Sequence, residues 1–148
     1  MNRRRFSVAH SSDVPAGPAA VWTVVADPAR RPEWMTELAR VDAAPGLLHV
    51  GDRFTGESSI LLHDFIGVSE VKVADPDRSL VEEVVIGARF TSDWALAVAA
   101  GGATTVNHTI EIDLPTGPFS PIERWVLRRR LARMQKVSLR NLRRLLEG

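Results

Sequence analysis

From Phe119 to the end of the chain nothing breaks a helix, and the composition there is rich in Arg and Leu. Leu127, Leu131, Met134, Ser138, Leu142 and Leu145 fall in one stripe at helical spacing. Arg129, Arg133, Lys136, Arg140 and Arg144 fall on the opposite side. One face of this helix must be buried and the other wet, so the rest of the chain has to supply a surface for it to cover.

That surface reads as strands. FSVAHSSDV (6–14) alternates Phe6, Val8 and His10 against Ser7, Ala9 and Ser11. Pro15, Gly17 and Pro18 interrupt it, and GPAAVWTVVAD reads as a short helix with Pro18 in its first turn. Asp27-Pro28 ends that helix, and a second helical turn is expected around residues 29–34. Strand-like runs follow at 37–44, 52–60, 63–74, 79–86, 90–99 and 103–114, punctuated by Pro45-Gly46, Asp75-Pro76-Asp77, Gly87 and Gly101-Gly102; Pro115, Gly117 and Pro118 close the last. Consecutive strands with short connections predict an antiparallel sheet. Seven strands at ~4.8 Å make a sheet about 29 Å wide, whereas a helix is only ~10–12 Å across. One helix cannot fill that face. The expectation is an α+β helix-grip: a curved antiparallel sheet of six or seven strands wrapped round a long C-terminal helix, with two short helices after the first strand. A curled sheet of this kind tends to leave an apolar cavity, and 148 residues are expected to make one ligand-binding domain, 1–148.

Composition removes several chemistries. There are no cysteines and no tyrosines, which excludes disulfides, thiolate catalysis, zinc–thiolate sites and phenolic acids. Four dispersed histidines, with His63 and Asp64 pointing to opposite faces, argue against a metal site. There is no GxSxG elbow, phosphate-binding glycine loop or dinucleotide fingerprint, and no cofactor is expected. No apolar run reaches the ~20 residues a membrane span needs. MNRRRFSVAH has a basic cluster without an apolar stretch behind it, so a cytoplasmic protein is expected. Charge is uneven: residues 119–148 carry +7 and residues 1–118 carry −6. The basic helix face lacks interleaved aromatics beyond Trp125, so a solvated face is favoured over a nucleic-acid or anionic-lipid surface.

The element order, with "VWTVVADPARRPEWM", "GDRF", "SDWAL…GGATTVNHTIEI" and the long terminal helix, resembles the polyketide cyclase/dehydrase branch of the START / Bet v 1-like (SRPBCC) superfamily. The resemblance runs from Phe6 to Leu146 and implies a helix-grip fold with a hydrophobic cavity. It implies no catalytic signature, because the superfamily includes cyclases, lipid carriers and hormone receptors. Trp22, Gly51 and Gly101-Gly102 carry structural parts of it.

Strand parity nominates the site. Val106, His108, Ile110, Ile112 and Leu114 share one face of the last strand; Phe90, Trp94, Leu96 and Val98 share one face of the strand before it. Matching the two faces needs even residues opposite even ones, and a three-residue Ala100-Gly101-Gly102 loop sets Trp94 opposite His108. His108 is then either a core histidine with one hydrogen bond or a cavity group that orients a carbonyl or moves a proton, its ordinary value of ~6.5 suiting both. His10 is a weaker candidate on the first strand. Of Glu82-Glu83, one carboxylate is expected in solvent and the other in the cavity or paired with Arg89 or Arg53. Trp34 either guards the cavity mouth or anchors the core. The expected ligand is small and hydrophobic, polycyclic or an acyl chain, contacted by Trp34, Phe90, Trp94, His10, Ile110, Leu127, Leu131 and Met134. Cyclase or dehydratase action with His108 as acid/base is one reading. The alternatives are a non-catalytic lipid carrier or sensor, and an adaptor using the basic helix face. A homodimer is left open.

Overall fold

The structure, a computed structural model, describes residues 4–58, 65–86, 88–114 and 121–147. Strand β1 (Arg4–Val14) leads into helix α1 (Pro18–Val25), where a proline in the first turn gives up no hydrogen bond the helix needs. A 3₁₀ helix spans Pro28–Glu33, opened by Asp27, whose side chain accepts a hydrogen bond from the Ala29 amide. Six strands follow: β2 (Leu38–Asp42), β3 (Arg53–Ser58), β4 (Phe65–Asp75), β5 (Ser79–Ile86), β6 (Ala88–Val98) and β7 (Thr104–Leu114). Helix α2 runs from Pro121 to Glu147. The opposite facing expected of His63 and Asp64, the loop glycine Gly87, the breakers Pro115, Gly117 and Pro118 and the helix start at Phe119 lie outside the described residues.

All seven strands form one antiparallel sheet in the order β1-β7-β6-β5-β4-β3-β2. This is the helix-grip arrangement. The β6–β7 hairpin sets the register next to edge strand β1, and Gly101 (φ 71°) and Gly102 (φ 78°) take left-handed conformations that residues with a Cβ adopt reluctantly. Outside them, the Ala99 amide donates to the Ala103 carbonyl at 2.8 Å. The odd loop keeps even residues opposite even ones, so Trp94 pairs with His108, and His108 pairs with His10 across β1.

Helix α2 buries the predicted stripe: Leu127, Leu131, Ser138 and Leu142 are buried, while Arg129, Arg133, Lys136, Arg140 and Arg144 are exposed. Gln135, which the stripe did not include, is also buried, and its side-chain amide donates to the Val8 carbonyl at 2.9 Å and the His108 carbonyl at 3.1 Å. It fastens α2 to β1 and β7 together. Two apolar clusters result. One holds Trp22, Trp34, Trp94, Leu139 and Leu142; the other holds Val8, Phe90, Ile112, Leu127 and Leu131.

Candidate functional site

A cavity of about 100 Å³ lies between α2, the concave sheet and the 3₁₀–β2 segment. Its roof is Leu131 and Met134 of α2, and its floor includes Phe90, Trp94, His108 and Ile110. Its far wall has few side chains to fill it. Gly56 of β3 and Gly67 of β4 sit directly opposite each other, with Ser58 and Ser69 beside them, and all four line the space. A Cβ on Gly56 would come within 3.3 Å of Leu38. Glycine in mid-strand is a signal for close approach, and it was available in "FTGES" and "FIGVS" but not used.

His108 is 2% exposed and lies flat against Trp94, with ring centroids 3.6 Å apart and planes 14° from parallel. Ser92, one step diagonally across the hairpin, holds the imidazole Nε2 through its hydroxyl at 2.8 Å. The other ring nitrogen, Nδ1, has no hydrogen-bond partner among the described residues. Burial, helped by the positive charge of Arg31, pushes the imidazole down from 6.5 to about 3. This corrects the expectation of a group poised near neutrality. Held so low, the imidazole is uncharged near neutral pH.

Two charged cavity residues were missed in the sequence. Arg31 sits in the 3₁₀ helix, only 4% exposed, and its guanidinium lies 5.1 Å over the Phe54 ring. Its Nη1 donates to Glu82 Oε2 at 2.8 Å, and its Nη2 donates to Glu82 Oε1. Glu82 is the inward member of the Glu82-Glu83 pair; its partner is neither Arg89 nor Arg53. Arg89 instead reaches outward Glu83 at 3.6 Å, and Arg53 pairs with Glu70. Glu37, the second missed group, lies just before β2 and faces Ser138 of α2, whose hydroxyl donates to its Oε2 at 3.4 Å. Burial raises its carboxyl from 4.5 to about 7, against the lowering influence of its own backbone amide, Ser138 and Arg31.

Of the nominated contacts, Phe90, Trp94, Ile110, Leu131, Met134 and His108 line the cavity; Trp34, His10 and Leu127 do not. Trp34 is fully buried behind Trp94, its ring edge-on to it at 5.2 Å and 76°. A 3₁₀ helix has three residues per turn, so Arg31 and Trp34 share its inner side. Arg31 takes the cavity position and Trp34 packs deeper, tied to α2 by Asn141, whose side-chain amide donates to the Trp34 carbonyl at 3.2 Å. The cavity-mouth placement of Trp34 is therefore wrong. Leu127 lies a turn before Leu131 and packs in the cluster of Phe90 and Ile112. His10 shares the concave parity but remains partly exposed on edge strand β1.

Elsewhere, Arg129 lies 4.9 Å over the exposed ring of Trp125 on the outer face of α2. No helix among the described residues is long and apolar enough to cross a membrane, and no three metal-ligating side chains gather there.

The sequence matches the family described as "Polyketide cyclase / dehydrase and lipid transport" over residues 5–147. The chain belongs to that family. Similar folds include the Zhui aromatase/cyclase from Streptomyces sp. R1128, at 16% identity and TM-score 0.82 over 97% of this chain and 94% of that one. The KanY protein in solution aligns at 22% identity and TM-score 0.75, over 100% of both chains. A START superfamily protein from Mycobacterium smegmatis aligns at 11% identity and TM-score 0.74, over 95% of this chain and 97% of that one. At these identities the likeness establishes the shared helix-grip fold and nothing finer. No curated protein matches the sequence.

Proposed function

We propose that this chain binds a small hydrophobic ligand in the cavity under α2, and that the ligand's polar end meets His108. The observation that carries this is a set of four buried polar atoms on cavity residues that have no partner among the described residues. They are Arg31 Nε, Glu37 Oε1, Ser58 Oγ and His108 Nδ1. Leaving one such atom unsatisfied costs about 1–3 kcal/mol, so a ligand that meets them gains what the empty protein forgoes. The surrounding wall is apolar, the usual composition of a small-molecule site. Size narrows the ligand. An apolar cavity of about 150 Å³ holds benzene, so about 100 Å³ suits a short acyl segment or the end of a larger molecule. A whole polycyclic ligand needs the 3₁₀–β2 wall to move. On this reading the whole chain, 1–148, works as one ligand-binding unit.

Cyclase or dehydratase action is a second reading, favoured by Glu37 and His108 lining one cavity. Glu37, with its carboxyl at about 7, is the group able to take and return a proton near neutrality. Neutral His108 would hold the reacting carbonyl. Native mass spectrometry of the freshly isolated protein, followed by titration with Nile red and 1-octanol, tests the binding reading. A bound apolar molecule or saturable 1:1 binding is expected. A ligand-free protein that takes up neither probe would refute it.

A further inference from the structure

We propose that the cavity selects an uncharged ligand, an alcohol, ketone or ester, and rejects a carboxylate, because Glu82 already occupies the cation that a carboxylate would seek. This rests on the ligand-binding reading above and names its ligand class. Among the described residues lining the cavity, Arg31 is the one Lys or Arg. A free guanidinium there would make an acyl-chain acid the natural ligand, since its planar fork matches a carboxylate. Here both Nη atoms are committed to Glu82, from opposite ends of one carboxylate. The pair is 5% and 1% exposed at its side chains, so water does not loosen it. An incoming carboxylate would displace Glu82 from its partner or sit beside it uncompensated, and a buried bare charge is strongly unfavourable.

The remaining polar atoms fit a neutral ligand. Arg31 Nε keeps one N–H, the Ser58 hydroxyl donates or accepts, and His108 Nδ1 offers one hydrogen bond of either sense according to the tautomer. These are partners for a hydroxyl or a carbonyl oxygen. Glu37 adds to the discrimination: once ionised, above about pH 7, it brings a second negative charge to the cavity. Phe54 covers the guanidinium face and closes the approach from that side.

The test is isothermal titration of the intact chain at pH 8 with 1-octanol and with octanoate, which share one chain length. We expect octanol to bind and octanoate to bind at least about tenfold more weakly, the least that a bare buried charge should impose. The variant Glu82→Gln frees the guanidinium, and its preference should shift toward octanoate by about tenfold or more. Equal affinities in the wild type would overturn the proposal while leaving ligand binding intact. If neither octanol nor octanoate binds, this inference fails, and if Nile red is not taken up either, the ligand-binding reading fails with it. Should Glu82→Gln not fold, as judged by its melt, the wild-type comparison alone decides. A folded Glu82→Gln with an unchanged preference would show that the ion pair is not what discriminates.

Discussion

Arg31 and Glu82 are the residues whose loss should be felt most. A buried pair is weak evidence of net stabilisation, but breaking it strands a charge. Arg31→Ala should therefore cost about 3–5 kcal/mol in a denaturant melt, whereas the double replacement Arg31→Met/Glu82→Leu should lie far closer to wild type. Two further residues titrate against each other. Glu37 is raised from 4.5 to about 7, so the folded state holds a proton the unfolded chain releases, and stability is lost as pH rises from about 4.5 to 7. His108 is lowered from 6.5 to about 3, so its contribution is complete above about 6.5 and lost as pH falls toward 3. The slopes oppose each other and should nearly cancel between pH 4.5 and 6.5. Glu37→Gln should unmask a stability that climbs with pH there, and His108→Gln one that falls, read from melts at each pH. Neither Arg31 nor Glu37 was legible in the sequence. A charge among prolines and other charges looks solvated, and the partner of Arg31 lies fifty-one residues away.

Elements were far more legible than residues, because periods of two and of 3.6 report burial without knowledge of partners. The β6–β7 register followed from parity and an odd loop, which put Trp94 against His108 before any coordinates were needed. The 3₁₀ helix was less readable. Its tighter winding turned Trp34 into the core and Arg31 toward the cavity, and a six-residue element carries too little pattern to fix its phase. Two outcomes are expected at this scale. Gly101→Ala and Gly102→Ala should each cost about 1–2 kcal/mol from backbone conformation alone, since nothing lies within 4 Å of the added methyl. Gly67→Leu should fill the far wall and abolish 1-octanol binding, and retained binding would mean that the ligand sits elsewhere.

For the molecule as a whole, the sheet's width against one helix decides the design: the grip helix cannot fill the concave face, and the residual space is the site. Trp22, Trp34 and Trp94 are the bulkiest side chains of the interior. Trp34→Ala should show the loss of a full core aromatic, about 3–5 kcal/mol, with dye entry rates unchanged because the ring stands behind the wall. The aromatic stack has an optical consequence. Two indoles 5.2 Å apart at 76° should couple excitonically, giving a far-ultraviolet circular dichroism couplet that Trp34→Phe abolishes. Trp94 also shares a face with the imidazole at the cavity floor, so a guest that hydrogen-bonds His108 should alter its emission. Occupancy can then be followed as a colour change in native fluorescence, with no label attached.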